Sequence, residues 1–279
     1  MTKIQTDISR QEIHIEGITF TAADARLASD GGPSRLQHLF SEDKSGFKSS
    51  LADFLAEWFN ETDTVKVHTS GSTGTPKELW VEKRRMMESA RLTVNFLDLQ
   101  PKDTALLCMP LDYIAGKMMV VRALERGLEL FSVEPSSHPL SKASMAGIGN
   151  PPSIDFAAMV PLQVWNTLQV PEEREALCRI RHLIIGGGAI SQALEQELRT
   201  LPINVWSSYG MTETLSHIAL RRITEDYYTP LPGITLSQDQ DGCLIIDAPH
   251  LCPERLFTND IAHFTDDNRF QIIGRRDNT

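Results

Sequence analysis

Apolar and polar positions along this chain predict strands and helices taking turns. Val65-Lys66-Val67-His68 alternates with period two, as a half-buried strand does. Arg84–Leu97 carries its apolar residues at helical spacing, and the short apolar run Ala105–Pro110 reads as a buried strand. Met118–Leu124 continues as a helix and Leu128–Val133 as a strand. Asp155–Val160 is a further strand, followed by a helix over Pro161–Leu168 with proline at its tolerated first position. Pro171–Leu177 opens with proline and two glutamates, a helix start. His182–Ile185 reads as a strand into a glycine turn, Ser191–Leu201 as a capped helix, and Val205–Ser208 as a strand into Tyr209. The order implies an α/β fold: parallel sheets flanked by helices, with ligands at the carboxyl ends of the strands.

The texture changes after about Thr229. Pro230, Pro232 and Gly233 break the helical pattern, and short β-like runs follow at Cys243–Asp247, Leu256–Thr258 and Phe270–Ile273. This predicts a core over 1–229 and a small β subdomain over 230–273. Ser136–Ser153, rich in Ser, Gly and Pro, reads as a long surface loop over the site.

Composition narrows the class. A chain of 279 residues can bury a large core. Its net charge of −10 argues against general nucleic-acid binding, which needs a basic footprint. No apolar run approaches a membrane span, and the N-terminus lacks the basic and apolar regions of a signal peptide. Cys108, Cys178, Cys243 and Cys252 show no metal-type spacing and read as reduced thiols of a cytoplasmic protein.

The chemistry concentrates in Thr69-Ser70-Gly71-Ser72-Thr73-Gly74-Thr75-Pro76-Lys77. Glycines let the backbone approach a bulky anion, hydroxyls and free N–H groups donate to phosphate oxygens, and Lys77 adds a point charge. A Walker loop would place Gly-Lys-Ser/Thr at the mouth of a helix, whereas here Pro76 precedes the lysine and removes a donor. The order of residues resembles the signature loop of the AMP-forming acyl-CoA synthetases and adenylation domains. Further matches follow in that family's order. Tyr209-Gly210-Met211-Thr212-Glu213-Thr214 resembles its second signature, and Gly186-Gly187-Gly188-Ala189 resembles the Gly-Gly-Ala turn against adenine. Thr258-Asn259-Asp260 resembles the Thr-x-Asp that holds the ribose, and Gly274-Arg275-Arg276-Asp277-Asn278 the Gly-Arg-x-Asp-Asn at the end of the large domain.

The resemblance implies carboxylate activation: an acid attacks the α-phosphate of ATP, pyrophosphate leaves, and coenzyme A then displaces AMP from the acyl-adenylate. It assigns catalysis to Lys77, Thr212 and Glu213, with Glu213 as a hard oxygen ligand for Mg²⁺. Thr69, Ser70, Gly71, Ser72, Thr73, Gly74 and Thr75 would hold the phosphates. Gly187, Gly188, Ala189, Ser208, Tyr209, Gly210 and Met211 would hold the nucleoside, Tyr209 through its ring face. Asp260 would accept both ribose hydroxyls, and Arg275 would reach the sugar or phosphate.

Two departures bear on what this chain does. The signature loop starts at residue 69, so the first lobe is expected to be abbreviated. The sequence ends at the family's hinge, with Asp277 as hinge residue and 274–279 as its start; the expectation is a chain cut before a mobile C-terminal domain that carries a further lysine. Within the family, Tyr209–Ser216 and the short N-terminus resemble the o-succinylbenzoate–CoA ligases of menaquinone biosynthesis. Met109-Pro110-Leu111-Asp112-Tyr113-Ile114-Ala115-Gly116-Lys117 aligns with Leu-Pro-Leu-Phe-His-x-x-Gly, Asp112 and Tyr113 replacing the aromatic and the histidine. Tyr113, Gly116 and Lys117 are the expected substrate residues. Lys117, with Arg122 behind it, is the candidate partner for a second substrate carboxylate. Another aryl or short acyl acid, or a non-catalytic nucleotide-binding module, are the alternatives; oligomeric state is left open, a homodimer included.

Overall fold

The computed structural model describes residues 7–26, 32–41, 43, 45–68, 78–146 and 153–278. In chain order the strands and helices are β1 Glu12–Ile15, β2 Ile18–Thr21, α1 Ala22–Ala25, α2 Arg35–Leu39, α3 Phe47–Trp58, β3 Thr64–His68, β4 Glu78–Glu82 and α4 Lys83–Phe96. They continue as β5 Thr104–Leu107, α5 Ile114–Arg126, β6 Glu129–Ser132, α6 Lys142–Met145, β7 Phe156–Met159, α7 Pro161–Leu168, α8 Pro171–Leu177, β8 His182–Ile185, α9 Gln192–Leu198 and β9 Asn204–Gly210. The last are β10 His217–Arg222, β11 Thr229–Pro230, β12 Thr235–Gln238, β13 Cys243–Asp247, β14 Leu256–Phe264 and β15 Phe270–Arg275.

The main sheet runs β11-β10-β9-β8-β7-β5-β6-β1-β2. Its middle, from β9 through β1, is parallel. The chain adds β6 on one side of β5 and then crosses to place β7 on the other, so the strand order reverses beside β5. In open α/β sheets such a switch point leaves a crevice at the carboxyl ends of the strands.

Both faces of the sheet are covered, which explains its continuous apolar strands. Ala105 and Leu107 of β5 join one core with α4 and α5, while Leu106 and Cys108 join a second core with α7, α8 and α9. The same alternation separates Ala158 from Ala157 and Met159 on β7. Local signals explain the helix ends. Pro161 and Pro171 occupy first-turn positions, Ser191 Oγ accepts from Leu194 N at 3.2 Å, and Gly127 closes α5 in the left-handed region at φ 65°.

The antiparallel sheet β12-β13-β14-β15 forms the small β subdomain. The Phe270 ring is buried between it and the main sheet, stacked 5.5 Å from Tyr228. β3 and β4 pair as a separate hairpin, with His68 opposite Glu78.

Several expectations need correction. A strand, β4, precedes the helix predicted from Arg84, because Leu79 and Val81 face the interior in alternation. Tyr209 lies inside β9 rather than after it, since β10 pairs with it and extends the ladder to Gly210. Ser136–Ser153 includes the short helix α6; its residues 147–152 are outside the described ones. The first sixty residues, which carry no motif, contribute the β1–β2 hairpin that ends the main sheet; Glu16 and Gly17 make its turn, both with positive φ.

Candidate active site

The carboxyl ends of β5, β7, β8 and β9 enclose a cleft of about 220 Å³. Met109, Met159, Gly186 and Gly210 mark the four strand ends, and Tyr113 and Ala115 close it from the start of α5. Of the residues expected from sequence, Tyr113, Gly187, Ser208, Gly210, Met211 and Thr212 line it together. Residues 69–77, Lys77 included, lie outside the described residues; the β3 and β4 ends that flank them are in place, and His68 lines the cleft.

The glycine turn has a steric reason. A Cβ on Gly186 would stand 2.4 Å from Ser208 Oγ, and Gly187 adopts φ 77°. Gly188 and Ala189 continue the turn to the exposed rim. Gly210 is under a stricter limit: its Cβ would meet Ser216 O at 2.4 Å and His217 Cα at 2.5 Å. The chain folds back there through a 3₁₀ turn, Thr212–Thr214, and Leu215 takes φ 66°, a conformation that costs a buried leucine about 1–3 kcal/mol. The Thr214 hydroxyl holds the turn by accepting from Met211 N at 3.0 Å and donating to Ser216 O at 2.7 Å. The result sets Ser216 and His217 against the cleft floor and leaves Glu213 exposed above it.

A second group sits at the junction with the small sheet. Tyr209 Oη donates to Asp260 Oδ2 at 2.6 Å, and Arg275 Nη1 donates to Asp260 Oδ1 at 3.0 Å. Arg275 also forms a two-pronged pair with Asp277, Nε to Oδ1 at 2.9 Å and Nη2 to Oδ2 at 2.8 Å. Burial, and then Asp260, push the Tyr209 phenol far above its ordinary value, so it stays a donor. The bond from Arg275 lowers Asp277 and raises Arg275 in turn. Asp260 is buried, and each of its oxygens keeps a lone pair beyond the bond described. The Tyr209 ring stands edge-on to Phe270 at 5.5 Å and to Tyr228 at 6.1 Å.

The residues expected from sequence to meet the acid are placed differently. Gly116 does not line the cleft; a Cβ there would lie 2.2 Å from Pro110 O, so the glycine lets α5 start tight against the turn after β5. Lys117 points away, into a groove it shares with Asp53, Glu57 and Asp112. Its Nζ is 3.3 Å from Glu57 Oε2, donates to Lys66 O and lies 5.1 Å over the Phe54 ring. Among the described residues, the arginine or lysine that lines the cleft is Arg122. It is only 3% exposed, and Nη2 donates to Ser216 Oγ at 2.7 Å. Among the described residues its Nε has no hydrogen-bond partner, and no carboxylate lies within ion-pair distance. Burial pushes its pKa down to about 9, still high enough to keep it charged at neutral pH.

Among the described residues, no group of three or more His, Cys, Asp or Glu side chains is placed to hold a metal ion. A single exposed carboxylate, Glu213, beside the cleft-lining Thr212 fits Mg²⁺, an ion that takes one or two carboxylates and draws its other ligands from phosphates and water. His68 and His217 were missed from sequence; the only signal for His217 was its place one residue beyond Ser216.

The family model of the AMP-binding enzymes matches residues 19–253. The chain belongs to this family. Among curated relatives, the 2-succinylbenzoate–CoA ligase of Haemophilus influenzae is 28% identical over 155 residues, covering 55% of this chain and 32% of the relative. That of Enterococcus faecalis is 28% identical over 211 residues, 72% of this chain and 42% of the relative. The chain thus spans less than half the length of these two relatives. Among solved structures, the acyl-CoA synthetase (AMP-forming)/AMP-acid ligase II-like protein of Dyadobacter fermentans matches with TM-score 0.76 and 36% identity, over 84% of this chain and 66% of that one. The o-succinylbenzoate coenzyme A synthetase of Bacillus subtilis, in complex with ATP and magnesium ion, shares the fold: TM-score 0.68 at 17% identity, over 98% and 78% of the two chains.

Proposed function

We propose that this chain supplies the adenylating site of an AMP-forming acid–CoA ligase, and that its acid is an aryl dicarboxylate of the o-succinylbenzoate type. The observation that carries the acid is Arg122. Among the described residues no carboxylate pairs with this guanidinium, whose removal from water is costly, and the cleft it faces is where a substrate carboxylate would offset that cost. The names of the curated relatives support the same acid.

In this reading Asp260 accepts the ribose hydroxyls with its remaining lone pairs, and Tyr209, pinned through its hydroxyl, turns a ring face to adenine. Ser208 and the turn at Gly187, Gly188 and Ala189 border the base, with Gly210 and Met211 beneath the sugar and α-phosphate. The loop 69–77 holds the β- and γ-phosphates, and Lys77 balances charge as pyrophosphate leaves. Thr212 and Glu213 face the phosphates, and Mg²⁺ on Glu213 would supply charge neutralisation there. The reactive carboxylate of the acid is held in line with the α-phosphorus while its other carboxylate rests on Arg122, with Tyr113 over the ring. Attack forms the C(O)–O–P bond and breaks the bond to pyrophosphate; coenzyme A is the second acceptor in the whole enzyme. The division at 229/230 and 273/274, with Asp277 as hinge, and a cytoplasmic location belong to the same proposal.

The test is calorimetric binding of two unreactive acyl-adenylate mimics, one succinylbenzoyl and one benzoyl. Preference for the first, by about tenfold or more, is expected for a buried ion pair. Equal affinity would remove the dicarboxylate and leave another aryl acid; binding of neither would remove the adenylating site.

A further inference from the structure

Behind Arg122 a line of polar groups runs from the cleft floor into the interior. Ser216 Oγ, which accepts from Arg122, lies 3.4 Å from His217 Nδ1. His217 Nε2 lies 2.9 Å from Thr93 Oγ1, and that hydroxyl donates to Ser89 O at 3.3 Å. Thr93 is fully buried and His217 is 7% exposed. The line spans α5, the turn before β10, the first residue of β10 and α4.

Its direction follows from counting protons. A threonine hydroxyl has one hydrogen; with it on the Ser89 carbonyl at 3.3 Å, the back-bond that threonines form inside helices, Thr93 Oγ1 accepts from His217 at 2.9 Å. The imidazole therefore carries its proton on Nε2 and presents a lone pair at Nδ1. The Ser216 hydrogen turns to that lone pair, which leaves the Ser216 oxygen free to accept from Arg122. With the proton on Nδ1 instead, Ser216 would share its two lone pairs between His217 and Arg122 and lose the imidazole as acceptor for its hydrogen, a weaker hold on the guanidinium. A doubly protonated ring would do the same and add a second cation. Burial, and then Arg122 itself, hold His217 well below the ordinary histidine range, so the neutral ring persists; among the described residues Arg122 is the charge that acts on it.

We propose that His217 is a positioning residue: locked by Thr93 as the Nε2–H tautomer, it orients Ser216 to hold Arg122 toward the cleft and so sets the preference for acids with a second carboxylate. The inference rests on Arg122 meeting a substrate carboxylate, as proposed above. It adds a residue on the cleft floor that lies outside every signature motif.

Nitrogen-15 NMR of histidine-labelled protein reads the tautomer on the unaltered chain, so the measurement stands even where a variant does not fold. A neutral Nε2–H ring at pH 6.5 is expected, together with a rise in its pKa when the succinylbenzoyl mimic neutralises Arg122. An Nδ1–H ring, or one that is half protonated at that pH, overturns the proposal. Three variants separate positioning from packing. Thr93→Val frees the tautomer, His217→Met removes the acceptor, and His217→Gln can keep both the donor and the acceptor. The ratio of succinylbenzoyl to benzoyl binding should fall about fivefold to tenfold in the first two and stay within about twofold in the third. Equal losses for both mimics, or an unchanged ratio in Thr93→Val and His217→Met, would show a packing role only. A wild-type chain without any preference would overturn the dicarboxylate reading and this one with it; a wild-type preference that the variants leave untouched overturns this one alone.

Discussion

Lys117 and Arg122 lie five residues apart on α5, both buried cations, yet their surroundings are opposite. Five residues turn a helix by about 140° beyond a full circle, so the two side chains leave on different faces. Lys117 reaches a groove where Glu57 and the Lys66 carbonyl meet it. Arg122 reaches the end of the parallel sheet, where a serine hydroxyl is its one strong partner among the described residues. A paired buried charge is part of the scaffold; one without a carboxylate among the described residues carries its desolvation cost uncompensated, which is why the proposal above gives Arg122 to a ligand.

The comparison is broken most completely at the start of the helix. Gly116→Ala would force a Cβ to within 2.2 Å of Pro110 O and lift α5 from its seat, moving both cations together. A loss of about 3 kcal/mol or more is expected by denaturant titration, with binding of both mimics abolished. If the variant were as stable as the parent, the tight approach of helix and turn would be wrong.

Arg122→Met sharpens it. Binding of the succinylbenzoyl mimic should fall by about a hundredfold, while stability holds or rises by up to about 2 kcal/mol, because an uncompensated charge leaves the core. Marked destabilisation instead would mean that Arg122 is scaffold like Lys117. Lys117→Met should do the reverse: about 1–2 kcal/mol of stability lost, since Glu57 is left behind, and mimic binding within about twofold of the parent. Lost affinity there would reinstate Lys117 as the carboxylate partner.

The smallest expected effect is in pH. His217 has a folded pKa below its unfolded 6.5, so from about 6.5 downward the unfolded chain takes up a proton that the folded one refuses. Stability should therefore fall as pH drops through this window, by at most about 1.4 kcal/mol per unit from this residue. His182 is lowered too, by burial and Arg181, and adds its own slope. Comparing the parent with His217→Gln isolates the first contribution; identical slopes would place His217 in a more solvated setting.

Much of this architecture was legible in the chain. β8, β13, α7 and α8 coincide with their expected ranges, because prolines, glycine turns and clean apolar runs mark their ends. β4 was hidden between a loop rich in glycine and hydroxyls and a helix pattern. β10 was hidden for a different reason: its register depends on Leu215 taking a positive φ and on Gly210 admitting the returning backbone, and neither is a local preference. The cleft shows the same split. Met211, Thr212 and Tyr113 can be named from motifs, whereas the sequence puts Lys117 ahead of Arg122 and the fold puts Arg122 on the cleft and Lys117 in a separate groove.

By itself the sequence determined the alternation of strands and helices, the glycine turn and the run from Tyr209 to Glu213. These depend on residue type and spacing over a few positions, where backbone sterics and side-chain chemistry act directly. Only the tertiary structure decided which buried cation lacks a carboxylate among the described residues, that Asp260 is shared between Tyr209 and Arg275, and that His217 stands between Thr93 and Ser216. Those facts depend on the direction in which each side chain leaves its element and on what a distant segment places opposite, and neither is encoded in local spacing.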